Sequence, residues 1–147
     1  MKKTTIVLSA AIFIGVVLAG GLLIFLQNRP VEQKVQNWPS RTDDQSAVTV
    51  TVTPLDISFA SKEWKFSVVI DTHSVELDQD MAKVAVLADD QGKEHLPVLW
   101  QGAEAGGHHR EGVLIFDAVA PFPKFVELRI KDIGTPATSL FRWDINK

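Results

Sequence analysis

Three of the four histidines lie in two stretches of the chain, residues 71–80 and 101–110, that also carry acidic residues. Imidazole and carboxylate groups together are ligands that suit Zn²⁺ or Cu²⁺. The second stretch contains Gly106-Gly107 directly before two histidines, and glycine permits backbone angles that bring adjacent side chains together. The sequence therefore predicts a metal site with five candidate ligands: His73, His108, His109, Asp78 and Asp80.

The same stretches also allow interpretations without a metal. The loops could be purely conformational, with the histidines capping backbone groups or packing on Trp100. Successive amides after Gly106-Gly107, together with Arg110, could form a nest that binds an anion. A blue-copper centre is excluded, because it needs a cysteine thiolate and the chain has no cysteine. The first two alternatives stay open beside the metal site.

Motifs for catalysis are absent from the sequence. The chain contains no Gly-x-Ser-x-Gly nucleophile elbow, no phosphate-binding loop and no His-Glu-x-x-His pattern. Ser74 follows His73, but adjacency in the chain does not make a catalytic triad. We therefore expect a protein that is not an enzyme.

Alternating apolar and polar residues from Val48 onward indicate strands with one buried face. Seven short strands separated by turn signals, with no helical period among them, predict an all-β domain. Its expected architecture is an antiparallel, immunoglobulin-like sandwich of two sheets. Pro97 lacks an amide donor, so the fourth strand should lie at an edge. The predicted strands span residues 48–53, 64–70, 82–88, 95–100, 113–116, 126–131 and 141–145.

This strand order would bring the two histidine-bearing stretches to one end of the sandwich. If successive strands alternate in direction, the loops after the second, fourth and sixth strands share an end. His95 begins the fourth strand and is expected at the opposite end. Because the first strand would begin at the histidine end, we expect the preceding tether to leave from that end as well.

The strongest topological signal is an uncharged run of 21 residues, Ile6 to Leu26, behind Lys2 and Lys3. A helix of this length would measure about 31 Å, enough to cross the hydrocarbon core. The lysines should stay on the cytoplasmic side, which places the rest of the chain outside. The alternative is a cleaved secretory signal with its cut before Leu22. It is disfavoured because the apolar run continues past that cut.

The predicted organisation has four parts: cytoplasmic residues 1–5, a transmembrane helix 6–26, a tether 27–47 and an extracytoplasmic domain 48–147. Two of the 15 basic residues precede the helix, so the remaining 13 face 18 acidic residues. This balance disfavours nucleic acid as a partner, because phosphate binding relies on clustered Lys and Arg. Without cysteine the domain cannot use disulfides and must rely on its apolar core.

The expected partners are the lipid bilayer and, if no metal binds, another protein of the cell envelope docked on the sandwich surface. Ala11, Gly15 and Ala19 lie on one face of the predicted membrane helix. Such small residues let two helices approach closely, which would give a homodimer. Gly and Ala are also common in membrane helices generally, so the stripe need not be an interface.

The segments 72–80 and 100–114 resemble a family of small membrane-anchored or secreted prokaryotic β-sandwich proteins. The resemblance covers roughly residues 48–146 and implies a sandwich at the cell envelope. No activity is established for that family, so the resemblance implies no site residues. The domain is also broadly similar to the small sandwich copper carriers of the bacterial periplasm. Those carriers use an amino-terminal His, whereas this domain follows a predicted anchor, and no ligand carries over.

We predict that the amino terminus is cytoplasmic and that residues 30–147 are exposed outside on an uncleaved chain. Protease added to intact spheroplasts should therefore remove the domain. Mass measurement of the purified protein should find the chain intact from its start. A mature species that begins at Leu22 would contradict the anchor and identify the segment as a cleaved signal.

Overall fold

A computed structural model describes residues 37–44, 47–134 and 138–145. The predicted transmembrane helix at 6–26 lies outside these ranges, and no helix within them has the length and apolar character to span a bilayer. The described residues form nine strands and one helix of a single turn. In chain order the elements are β1 (Arg41–Asp43), β2 (Val48–Asp56), β3 (Glu63–Thr72), α1 (Met81–Val84), β4 (Ala85–Asp89), β5 (Glu94–His95), β6 (Leu99–Gly102), β7 (His109–Asp117), β8 (Phe125–Lys131) and β9 (Thr138–Asp144).

The strands of the described ranges form two antiparallel sheets around one apolar core. The order is β1-β2-β3-β7-β6 in the five-stranded sheet and β5-β4-β8-β9 in the four-stranded sheet. The predicted all-β class and the two antiparallel sheets are therefore confirmed. Each sheet turns alternate side chains toward the other, as a strand with one buried face requires.

The core consists of the apolar positions that the alternation marks. Phe66 lies at its centre, with ring centroids 5.7 Å from Phe116 and 5.8 Å from Trp143. Trp143 also donates from Nε1 to the carbonyl of Pro39 at 2.8 Å, so the indole ties the preceding segment to the core. Eight residues expected in the core are each at most 1% exposed: Trp64, Phe66, Val68, Val126, Leu128, Ile130, Phe141 and Trp143.

Part of the predicted tether forms a strand of the domain. β1 pairs antiparallel with β2, and its register places Arg41 opposite Val52 and Asp43 opposite Val50. The hydroxyl of Ser40, just before β1, contacts that of Thr53, so the chain runs from the second half of β2 back toward its beginning. The expectation that the tether leaves from the histidine end does not hold, because β1 doubles back along β2. The sequence of β1 gives little signal, since its residues are polar and mostly exposed.

Pro97 divides the predicted fourth strand into two. The residues before it form β5 in one sheet, and the residues after it form β6 in the other. Proline has no amide N–H and a fixed φ, so the ladder is interrupted where the chain crosses between sheets. Both pieces lie at sheet edges, which confirms the predicted edge position.

The predicted third strand begins with the single turn of α1. Asp80 caps this turn, because its Oδ1 accepts from the amide of Ala82 at 3.1 Å. Its Oδ2 lies 3.0 Å from Nζ of Lys83. β4 then starts at Ala85 and is buried at every position, as in a strand that is covered on both faces.

We predict that Phe66→Ala lowers the free energy of unfolding by about 3–5 kcal/mol, because it leaves a cavity in the core. Phe59→Ala is the matched control, since Phe59 is 82% exposed, and it should cost less than about 0.5 kcal/mol. Denaturant unfolding of the two variants measures both values. Similar losses for the two would show that the buried face is assigned wrongly.

Candidate functional site

Two loops meet where β3 ends and β7 begins. The amide of Gly106 donates to the carbonyl of Leu77 (2.7 Å), and the amide of Leu77 donates to the carbonyl of Gly107 (3.0 Å). The loop after β3 and the loop after β6 thus lie side by side, as strand alternation predicts. We call this the acidic end of the domain, because six carboxylates are exposed there: Asp71, Glu76, Asp78, Asp80, Glu104 and Glu111.

The glycine pair in the second loop has left-handed backbone angles. Gly106 has φ 123° and Gly107 has φ 76°, values that residues with a Cβ rarely adopt. The amide of Gly107 donates to Oε1 of Glu76 at 2.7 Å. The carboxylate of Glu76 therefore occupies the position at the Gly107 amide where the predicted nest would bind an anion.

Arg110 joins the two loops from inside. Its side chain is only 2% exposed. Nη1 donates to the carbonyls of Leu77 (3.1 Å) and Gln79 (2.7 Å), and Nη2 donates to the carbonyl of Ala103 (3.2 Å). Three loop carbonyls outside the strands thus receive charged donors, which make stronger hydrogen bonds than neutral ones.

The guanidinium of Arg110 is buried without a carboxylate in hydrogen-bonding contact. Burial lowers its pKa, although the nearby charges of Asp80 and Asp78 act in the opposite direction. An arginine nevertheless stays protonated at physiological pH. Its Nε and the Oε1 of Gln79 are buried without a hydrogen-bond partner among the described residues. Both atoms are enclosed, so this part of the site holds the loops rather than a ligand.

Trp100 covers the junction of β6 and β7. Gly102 pairs with Gly112, and a Cβ on either would lie within 2.7 Å of the Trp100 ring. Only glycine leaves room for the indole at these two positions. Nε1 of Trp100 donates to the carbonyl of Ala103 at 2.9 Å, and Arg110 Cζ lies 5.8 Å from the ring centroid. The indole is thereby fixed in place by the same loop that Arg110 binds.

A hollow of about 440 Å³ opens beside this junction. Trp100 and Met81 give it an apolar wall, while Asp78, Asp80 and Glu104 lie at its acidic rim. The exposed residues of the rim are carboxylates, which favour a cationic group over an anionic one. The remaining lining residues are Gln79, Gly102, Ala103, Ala105 and Arg110.

His109 lies at the start of β7, on the outer face of the five-stranded sheet, between two carboxylates. Its Nδ1 is 2.6 Å from Oδ1 of Asp71, its partner across the ladder, and its Nε2 is 3.9 Å from Oε2 of Glu111. The hydrogen bond to Asp71 raises the pKa of His109, partial desolvation opposes that rise, and the charges of Asp71 and Glu111 add to it. The contact between His109 and Asp71 therefore links β7 to β3 at this end.

The five predicted metal ligands have different surroundings in the structure. His108 extends the β3–β7 ladder, because its carbonyl accepts from the amide of Thr72 at 2.9 Å, so its side chain alternates with that of His109. His73 is exposed in the turn after β3, Asp78 lies on the rim of the hollow, and Asp80 caps α1. Within residues 37–44, 47–134 and 138–145, no group of three or more His, Asp and Glu side chains is arranged to hold a metal ion. The metal site stays a prediction from sequence.

His95 lies at the other end, as predicted. Its Nε2 is 3.0 Å from Oδ2 of Asp89. Burial acts to raise the pKa of Asp89, but hydrogen bonds from His95 and from the amides of Lys93 and Gln91 bring it below its ordinary value. This histidine therefore belongs to the turn between β4 and β5 and to no site at the acidic end.

β6 leaves one side of the five-stranded sheet open. No strand of the described residues pairs with its outer side. Leu99 is 50% exposed, and Leu96 and Val98 just before it are also exposed. An exposed apolar edge is unusual, because proteins generally blunt their sheet edges with charges or cover them. This edge runs directly into the acidic rim at Gly102.

Comparisons with protein-family models, with curated proteins and with solved structures found no match to this chain. The resemblance drawn from residues 72–80 and 100–114 therefore stays a prediction. The inward orientation of Arg110 was missed at the sequence level. A signal was present, since the burial period of β7 continues backward from Phe116 through Leu114 and Gly112 to this arginine.

We predict that Asp71→Asn lowers the pKa of His109, because the neutral amide cannot stabilise the imidazolium as the carboxylate does. Since the folded-state pKa is raised above 6.5, the pair stabilises the fold below pH 6.5. That contribution disappears as pH rises through the raised pKa. NMR titration of the His109 ring measures the change, and Asp78→Asn, which makes no contact with His109, is the control. An unchanged titration in Asp71→Asn would refute the pairing.

Proposed function

We propose that this protein is a non-catalytic interaction module of the cell envelope that binds an extended segment of another envelope protein along β6. The observation that carries the proposal is the open, uncharged edge of the five-stranded sheet, with Leu99 half exposed. The module would be held outside the membrane by the predicted transmembrane helix at residues 6–26. An interaction module of this kind is the alternative to a metal site that the sequence analysis left open.

The backbone of β6 supports strand addition. The amide of Ala103 donates to the carbonyl of Glu111. Because backbone groups alternate in direction along a strand, the amides and carbonyls of residues 101 and 99, two and four positions earlier, also face β7. The amides and carbonyls of Trp100 and Gly102 then face the open side. An added strand could pair with these groups, which is how many peptide-binding domains gain affinity.

The character of β6 differs from that of the other sheet edges among the described residues. β1 carries Arg41 and Asp43, β9 carries Arg142 and Asp144, and β5 has only two residues. β6 carries no charge. Charges and shortness protect an edge from pairing, and β6 has only Pro97 before it in this role. An edge without such protection is the one best suited to take a partner strand.

The acidic rim indicates which segment would fit. A strand added along β6 passes Leu99 and reaches Asp78, Asp80 and Glu104 beside the hollow. Lys83, in contact with Asp80, and Arg110, in the lining of the hollow, offset two of the three negative charges and leave one carboxylate in excess. We therefore propose a partner segment that is extended and apolar and that carries a Lys or Arg where it meets the rim.

The strand orders support an immunoglobulin-like sandwich as the framework. The five-stranded sheet without β1 corresponds to the A-B-E-D order of that fold, and β5-β4-β8-β9 corresponds to its second sheet with one added strand. Many domains of this type act at cell surfaces, but a fold alone does not give a function. The proposal therefore depends on the edge and the rim.

The test uses the full chain in lipid nanodiscs and a fluorescent peptide of alternating Val and Thr that ends in Lys. We expect saturable binding by anisotropy. Leu99→Lys should weaken it by about tenfold or more, since it places a charge on the apolar edge. Leu140→Lys, at an equally exposed leucine (58%) on edge strand β9, is the matched control and should leave binding unchanged.

Further peptides separate strand addition from simple attraction. One peptide is N-methylated at its odd-numbered amides and a second at its even-numbered amides. Only one of the two should lose binding, because only one set of amides faces β6. Replacing the terminal Lys by Glu should weaken binding, and Glu104→Gln should reduce that difference. Equal binding of the two N-methylated peptides would refute strand addition. Stoichiometric Zn²⁺ or Cu²⁺ binding that His108→Ala and His109→Ala abolish would instead favour the metal site.

A further inference from the structure

The end of the domain opposite the acidic end has an exposed apolar surface. Phe59, in the loop between β2 and β3, is 82% exposed, and Leu55 at the end of β2 is 50% exposed. Ala60, Ala120 and Pro121 are exposed in the neighbouring loops. We call this set the apolar end. A group of exposed apolar residues, unlike a single one, is typical of a surface that meets an apolar partner.

Phe59 is presented on a fixed base. Its ring lies edge-to-face on Phe122 with centroids 5.7 Å apart, and Phe122 lies edge-to-face on the buried Trp64 at 5.8 Å. The loop is closed by short-range hydrogen bonds, including the amide of Ser58 to Oδ1 of Asp56 at 3.1 Å. A hollow of about 290 Å³ with largely apolar lining lies between this loop and residues 118–122. The exposed phenyl ring is therefore a feature of a folded loop.

The chain enters the domain at this same end. β1 begins at Arg41, opposite Val52 in the middle of β2. The residues before it continue toward the apolar end, because the hydroxyl of Ser40 contacts that of Thr53 and Trp143, near the end of β9, donates to the carbonyl of Pro39. The described part of the chain therefore begins at the apolar end. Only ten residues, 27–36, separate the predicted membrane run from the described part of the domain.

The charges of the two ends agree with this orientation. The six carboxylates of the acidic end would be repelled by anionic lipids. Exposed lysines at the apolar end (Lys62, Lys93 and Lys124) lie among exposed carboxylates (Glu63, Glu94, Asp117 and Asp144). Glu63 also contacts Lys65 at 3.4 Å. The charges there are mixed, with lysines that can reach lipid phosphates. Apolar residues flanked by lysine are typical of proteins that lie on a membrane surface.

We infer that the apolar end is a lipid-contacting surface, with Phe59 inserted at the boundary between headgroups and acyl chains. This inference uses the anchor of the proposed function but not its binding edge. It also explains why an aromatic residue is exposed at the end where the chain enters. The acidic rim and β6 would then project away from the membrane, where a partner can reach them.

The absence of cysteine allows single labels to be placed on the full chain. Ala60→Cys reports on the apolar end, and Ala105→Cys, also an exposed alanine, reports on the acidic end. Each is labelled with NBD in nanodiscs of phosphatidylcholine and phosphatidylglycerol that contain a spin-labelled lipid. We expect blue-shifted emission and strong quenching at position 60, and neither at position 105.

Phe59→Ser in the Ala60→Cys chain should reduce the quenching by about half or more, because it removes the inserted ring. Loss of folding is not expected, since the side chain is exposed. Equal quenching at the two labelled positions would overturn the inference. A blue shift at position 60 without lipid quenching would also overturn it, and would assign the surface to a protein contact. Failure of the chain to elute with the nanodiscs would overturn the anchor as well, whereas elution without quenching at position 60 overturns this inference alone.

Discussion

The buried guanidinium of Arg110 is the interaction on which the acidic end depends. Its donors satisfy the carbonyls of Leu77, Gln79 and Ala103, which lie on two loops with no shared strand ladder. A buried charge costs free energy unless its hydrogen bonds compensate for lost hydration, and here neutral carbonyls do so. Without this side chain the carbonyl of Gln79 would lose its donor, whereas those of Leu77 and Ala103 would keep only the bonds from Gly106 and Trp100. The loops that form the rim of the hollow are therefore held from beneath by one residue of β7.

The same junction determines the character of β6. Trp100 fits only because Gly102 and Gly112 lack side chains, and its indole is bonded to the loop that Arg110 also holds. With its large side chain turned inward, the strand presents Leu99 on the outer face and leaves its outer backbone groups open. The exposed edge is thus linked to the acidic rim, since Trp100 of β6 and Arg110 both donate to the carbonyl of Ala103.

How far the sequence predicts this structure depends on the range of the interaction. Alternation predicts the buried faces of β3, β8 and β9, because a period of two is local. It misses β1, whose polar residues are held mainly by pairing with β2. It also places His108 and His109 together in a loop, whereas the ladder between β3 and β7 extends through both and turns them to opposite sides. Strand register is a long-range property, and no spacing within one segment determines it.

Because β1 doubles back along β2, the chain enters at the apolar end and the acidic end lies at the far end of the domain. A first strand at Val48 would have placed the histidine-bearing loops beside the tether. The three residues Arg41–Asp43 reverse that arrangement at the cost of one short strand. The domain is polarised as a result: Phe59 and the entering residues Pro39 and Ser40 share one end, and Arg110 with its rim occupies the other.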